Sequence, residues 1–279
     1  RAGIVEFHVK ACIEQIILHL ALRLGLQLDR VVTRRGLGRS GWKSALVLGF
    51  LMLALGNGGV CIAEQWVPSG IAALIVAMLP LWIALLSWIL PGGRRPSGPG
   101  LAGILLGLAG VGLLVQTGSA GGQNRVDSLG VAILLCASLS WAAGTLYGRR
   151  AKVGTSLMMT TALQMLAGGG VLLVASAATG EWSRFEPSKV SGVSVYSLFY
   201  LIVFGSLIAF TSYNYMVAFT VPSRVATYAY VNPVIAVLLG WAIASEPITS
   251  RMLLAMAVII ASVAIITSSS TPETRSARA

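Results

Sequence analysis

Eight times between Ser44 and Ser268 the chain runs for the length of a helix without one charged side chain, and this recurrence limits its fold more than any motif. A span of the bilayer needs about 20 mostly apolar residues, because hydrocarbon is about 30 Å thick and a helix rises about 1.5 Å per residue. The runs are Ser44 to Ile62, Ser69 to Leu90, Gly100 to Gly118, Ser128 to Tyr147, Thr155 to Thr179, Val195 to Phe219, Val225 to Ala244 and Met252 to Ser268, lettered a to h. Uncharged runs of this length are stable in lipid only as helices that satisfy their own backbone. The expected fold class is therefore all-α, a polytopic membrane bundle. Composition agrees: 56% of residues are apolar and 10% charged, whereas soluble domains carry about 25% charged residues.

The formal charge of +11 raises the question of nucleic acid, and the placement of the charges answers it. From Ser44 onward they fall between the apolar runs, as lipid dictates, so nucleic acid is excluded as a partner. From Arg30 onward, thirteen Lys and Arg lie before a and in every second loop thereafter: Arg30, Arg34, Arg35, Arg39, Lys43, Arg94, Arg95, Arg149, Arg150, Lys152, Arg224, Arg275 and Arg278. The alternate loops hold four, Arg125, Arg184, Lys189 and Arg251. Since cytoplasmic loops carry the positive excess, the segment before a and the C-terminus are expected in the cytoplasm.

The spans also repeat. Val67-Pro68-Ser69 before b matches Val221-Pro222-Ser223 before g, Pro80 matches Pro233, and Trp88 matches Trp241. Spans a, b and c thus correspond to f, g and h. The shift is five spans, an odd number, so the two copies cross in opposite senses. In a five-helix unit, d and e need partners ahead of a. The partner of e falls near residues 2 to 26, and that of d before Arg1. The segment Ala11 to Val32 has helical apolar spacing but carries Glu14, His19, Arg23, Asp29 and Arg30. Each charge at central depth costs about 2.5 to 3.5 kcal/mol. Three readings stay open: a displaced gene start, an amphipathic surface helix, and a damaged span. The repeats are expected over 1–120, atypical at 1–43, and over 127–270, with 271–279 a cytoplasmic tail.

Catalytic and metal chemistry lack their parts. His8 and His19 are the only histidines, no acid or base lies within a span, and Cys12, Cys61 and Cys136 are scattered. No cofactor is expected. Glycine clusters such as Gly103 to Gly107 and Gly168 to Gly170 lie inside spans and read as close helix contacts. Polar side chains within spans carry more information, since hydrocarbon penalises them unless they are paired or line a wet path. Span a places Asn57, Cys61, Glu64 and Gln65 on one face, and f places Thr211, Asn214 and Tyr215 on one face. Span g has Tyr228 and Asn232 four apart, followed by Pro233. Pro80 and Pro233 are expected to bend b and g at matching places. Trp141 and Trp82 could stack on a ligand, whereas Trp88 and Trp241 sit where interface anchors are expected. The expected substrate pathway is Asn57, Glu64, Gln65, Pro80, Trp82, Trp141, Thr211, Asn214, Tyr215, Tyr228, Asn232 and Pro233. Glu64 and Glu246 are the acids nearest the spans, and Glu64, on the polar face of a, is the better placed to bind a coupling proton.

The pattern Ala63-Glu64-Gln65-Trp66-Val67-Pro68-Ser69-Gly70-Ile71-Ala72-Ala73-Leu74 with Pro80-Leu81-Trp82 resembles the drug/metabolite transporter superfamily, in its EamA-domain branch. So do Tyr230-Val231-Asn232-Pro233-Val234, Gly240-Trp241 and Ser245-Glu246-Pro247-Ile248-Thr249. The resemblance covers about residues 41 to 270. It implies a ten-helix bacterial inner-membrane protein of two five-helix units, exporting a small metabolite, amino acid or drug, with both termini cytoplasmic. The chain departs from the pattern where Gly93-Arg94 stands at the equivalent of Glu246-Pro247, and in its first two helices. The expected function is secondary export by alternating access, without enzymatic chemistry. The rival readings are a membrane-embedded enzyme, a passive channel and an inactive truncated transporter.

Overall fold

The computed structural model describes residues 39–90, 97–116, 127–151, 157–181, 190–219, 228–244 and 248–269, and every regular element among them is helical. The segment Ala11 to Val32, His8, His19 and Glu246 lie outside the described residues. All eight apolar runs contain helix. Span a comprises α1 (Arg39–Leu48), a π-helical segment π1 (Gly49–Asn57) and α2 (Gly58–Ala63). Span b comprises α3 (Ser69–Val76) and α4 (Leu79–Ile89); c is α5 (Gly98–Gln116), d is α6 (Ser128–Arg150) and e is α7 (Leu157–Ala178). Span f comprises α8 (Gly192–Tyr200), a second π-helical segment π2 (Leu201–Phe210) and α9 (Thr211–Phe219). Spans g and h are α10 (Tyr228–Ala244) and α11 (Ser250–Ser269). Six of the eight are long and apolar enough to cross a membrane, and the described apolar stretches of c and g, Gly98–Leu113 and Val231–Ala242, are shorter.

The helix starts follow from local chemistry. The first amides of a helix have no intrahelical acceptor, so a side-chain oxygen just upstream supplies one. Ser97 Oγ accepts from the Gly100 amide at 3.3 Å, Asp127 Oδ1 from Leu129 at 2.7 Å, Ser191 Oγ from Ser194 at 3.1 Å and Thr249 Oγ1 from Met252 at 3.2 Å. At the other end, α6 closes on Arg149 and Arg150, cations that complement the carbonyl end of the helix. Gly180, with φ 71°, turns the chain out of α7.

Pro80 departs from expectation. It does not bend a continuous helix; b breaks at Ala77 and Met78, and Pro80 stands in the first turn of α4. A first-turn residue has no helical acceptor for its amide, so the missing N–H costs nothing there. Pro233, by contrast, lies inside α10 as expected, and it is fully buried.

The chain divides into two compact units, one of Arg1–Gln65 with Leu139–Val225, the other of Trp66–Ser138 with Ala226–Ala279. Each therefore draws on both halves of the sequence. In the second unit the repeat-related spans pack on each other, α10 along α3 and α11 along α5. The α5 seam is lined by Gly103, Gly107 and Gly110, and Ser262 Oγ donates to the Gly103 carbonyl at 2.7 Å. A Cβ at Gly107 would lie 2.6 Å from Ser262 Oγ and 2.9 Å from Leu81 Cδ1. Small residues thus set the helix separation, as expected where lipid offers no hydrophobic drive between helices.

In the first unit α7 packs along α1 and π1. A Cβ at Gly168 would approach the Gly49 carbonyl to 2.8 Å, so these backbones touch directly. Leu48, Met52 and Leu53 of span a, Met165 of α7 and Phe210 of π2 form the buried apolar centre, with Trp141 and Tyr213 packed against it.

Gly107→Leu is expected to destabilise the second unit by about 1–3 kcal/mol through overpacking. Gly112→Ala on the same helix, where a Cβ meets nothing within 4 Å, should instead gain about 0.5–1 kcal/mol from helix propensity. Thermal unfolding of the detergent-solubilised protein followed by size-exclusion chromatography measures both.

Candidate functional site

Polar residues of the first unit stand on spans d, e and f and join them to one another. Span d brings Ser140, Trp141 and Thr145; f brings Tyr213 and Asn214; and α7 brings Thr160, Thr161 and Gln164, all three buried. The Trp141 indole meets Phe210 edge-on at a centroid distance of 6.1 Å and Tyr213 at 6.2 Å. Such edge-to-face pairs contribute about 0.5–1.5 kcal/mol beyond area burial. Thr145 Oγ1 lies 3.4 Å from Tyr213 Oη and donates to the Trp141 carbonyl at 2.9 Å. Asn214 Nδ2 donates to Thr161 Oγ1 at 3.3 Å, tying f to α7.

Of the expected pathway residues, the first unit brings Trp141 and Asn214 into this group. Thr211 is half-buried at the start of α9, while Tyr215 is exposed. Asn57 closes π1 and is exposed. Glu64 is the exposed C-cap of α2, and Gln65 beside it is half-buried with its Nε2 atom enclosed and lacking a hydrogen-bond partner. Gln164 Oε1, on a residue 5% exposed, shares that condition. A buried amide oxygen without a donor costs about 1–3 kcal/mol, so its retention calls for a reason. Gln164 was not among the expected residues, nor was Thr161. The signal for Gln164 was available: it is an amide near the middle of apolar span e.

The second unit holds the remainder. Trp82 donates from Nε1 to Ser138 Oγ at 2.9 Å, and Ser138 Oγ donates in turn to the Leu135 carbonyl at 3.0 Å. The indole nitrogen of Trp82 is thereby occupied within the protein. Pro80 is half-buried, Pro233 is buried, and Asn232 before it is exposed. Tyr228 opens α10, and its side chain lies outside the described residues. Trp88 and Trp241 are exposed at 38% and 57%, the placement of interfacial aromatics. Among the described residues no three His, Cys, Asp or Glu side chains come together as metal ligands.

A model of the EamA-like transporter family matches residues 17–116 and again 128–268. The chain belongs to the EamA-like transporter family. The uncharacterized inner membrane transporter YedA of Escherichia coli K12 is 40% identical over 225 residues, 80% of this chain and 70% of that protein. The uncharacterized transporter YvbV of Bacillus subtilis 168 is 26% identical over 230 residues, 82% of this chain and 73% of that one. A solved crystal structure aligns over 94% of this chain and 85% of its own with a TM-score of 0.60 at 22% identity, which establishes the fold alone. The chain is thus a membrane transporter of this family, and the EamA resemblance read from Glu64-Gln65-Trp66 and Asn232-Pro233 holds. The first match begins at residue 17, inside the segment left with three readings.

The bond between spans f and e can be weighed directly. A double-mutant cycle of Asn214→Leu and Thr161→Val, measured by unfolding in mixed micelles, should give a coupling of about 0.6 kcal/mol, the average for interhelical bonds in membranes. Coupling indistinguishable from zero would contradict the contact.

Proposed function

We propose that this protein is a secondary carrier that exports a small organic solute from the cytoplasm by alternating access of two inverted repeats. The observation that carries the proposal is the family match, which falls in two stretches, 17–116 and 128–268, one over each half of the chain. The chemistry of the residues supports it. No acid, base or nucleophile set for turnover stands within the spans, whereas amides, hydroxyls and aromatic rings recur there. On this reading the solute path in the first unit runs along the polar face of span a, Asn57, Glu64 and Gln65, and along Thr211, Asn214 and Tyr215 of span f. In the second unit Pro80, Trp82, Tyr228, Asn232 and Pro233 carry the corresponding part of the path. A proton is the proposed coupling ion, with Glu64 its carrier. Glu64 stands where α2 ends, open to protonation yet at the head of the polar face. The C-terminus is proposed to be cytoplasmic on the distribution of Lys and Arg.

Counterflow in proteoliposomes preloaded with one unlabelled solute at a time, across a panel of amino acids and organic cations, tests transport. A carrier gives a transient overshoot of the labelled solute and a saturable rate; flux that rises linearly with concentration and never overshoots would mean a channel. For the responding solute, Glu64→Gln should retain counterflow, which needs no gradient, and lose accumulation driven by an imposed pH gradient. Accumulation equal to that of the unsubstituted protein would remove Glu64 from the coupling.

A further inference from the structure

The two π-helical segments occupy equivalent places in the repeat. Val67 and Val221 are 154 residues apart, and that shift carries π1, Gly49–Asn57, to within two residues of π2, Leu201–Phe210, at both ends. A π-helix is rare and holds more residues per turn than an α-helix. In π1 the Gly58 amide reaches back five residues to the Leu53 carbonyl, the hydrogen bond that defines such a turn. Rewinding by one residue turns everything downstream by about 100°. Downstream of π1 lie Cys61, Glu64 and Gln65; downstream of π2 lie Thr211, Asn214 and Tyr215.

Trp141 touches both segments. A Cβ at Gly56, the penultimate residue of π1, would lie 2.9 Å from Trp141 Cε3, so the indole rests on bare backbone there. The same ring meets Phe210, the last residue of π2, at 6.1 Å. Gly56 and Phe210 are themselves 154 residues apart, so one indole lies against repeat-equivalent positions in both spans. The neighbouring turn of span d reinforces the contact on one side: Ser140 Oγ donates to the Leu51 carbonyl inside π1 at 2.8 Å. On the other side, Thr145 meets Tyr213 one turn beyond π2.

We propose that Trp141 is a positioning residue that couples the winding of the two π-segments, so that the polar faces of spans a and f turn together. Gly56 is required because any side chain there would push the indole toward Phe210. This inference rests on the transport reading for its purpose, and its physical content is tested without a substrate.

Hydrogen exchange read by mass spectrometry on the full chain in detergent micelles reports each segment separately. Gly56→Ala alters π1 alone by sequence, yet it should speed exchange across Leu201–Phe210 by at least about fivefold. Trp141→Ala should speed both segments, and Trp141→Phe should restore slow exchange in π2, since a ring edge still meets Phe210. The amides of α11, which belongs to the other compact unit, serve as the reference and should stay unaltered. A change confined to Gly49–Asn57 in Gly56→Ala, or equal acceleration throughout α11, overturns the coupling. Where Trp141→Ala does not elute as a single species, Gly56→Ala and Trp141→Phe decide alone. Coupled exchange in a protein that gives no saturable counterflow would reject the transport reading while leaving the coupling in place.

Discussion

A backbone amide in hydrocarbon has no water to bond, and the architecture of the chain follows from that. The chain must close its own hydrogen bonds, so it crosses as helix, and its polar atoms concentrate at the ends of spans or against each other. At four helix starts a serine, aspartate or threonine side chain, Ser97, Asp127, Ser191 or Thr249, supplies the missing acceptor. In π1, where the winding departs from α, Ser140 of a neighbouring helix donates an additional bond to the Leu51 carbonyl.

Because lipid tails are as apolar as leucine, helix association cannot rely on burial. It relies on close approach, and the glycines show how. Gly103, Gly107 and Gly110 admit Ile266, Ser262 and Ile259 of α11, and Gly49 meets Gly168 backbone to backbone. The same economy of volume lets Trp141 lie on Gly56. Packing and polar placement are therefore one design: small residues bring spans d, e and f close enough to span a for Thr145 to meet Tyr213 and for Asn214 to reach Thr161.

The spans were legible because a bilayer imposes a length and forbids charge, and both leave a mark in every residue of Ser69 to Leu90 or Met252 to Ser268. The EamA kinship was legible in Pro68-Ser69, Asn232 and Pro233. The π-segments were not, since the largely apolar residues of Gly49–Asn57 and Leu201–Phe210 do not distinguish them from α-helical stretches. The break before Pro80 escaped for a similar reason. A proline in an apolar run reads as a kink, and only the turn at Ala77 and Met78 places it at a helix start. Of the expected pathway residues, Trp141 and Asn214 take part in contacts between spans; Gln164 was legible as an amide inside an apolar span, whereas Thr161 stands out only by its burial and its bond to Asn214.

The central claim is that spans a to c and f to h are one unit used twice in opposite senses, and the most direct test is the sidedness of its two Val-Pro-Ser motifs. With Cys12, Cys61 and Cys136 replaced by serine, Ser69→Cys and Ser223→Cys each place a single thiol at equivalent positions of the repeat. A membrane-impermeant maleimide added to intact cells should label the thiol at 69 and reach that at 223 only after the membrane is opened. Labelling of both from the same side would contradict the inverted repeat.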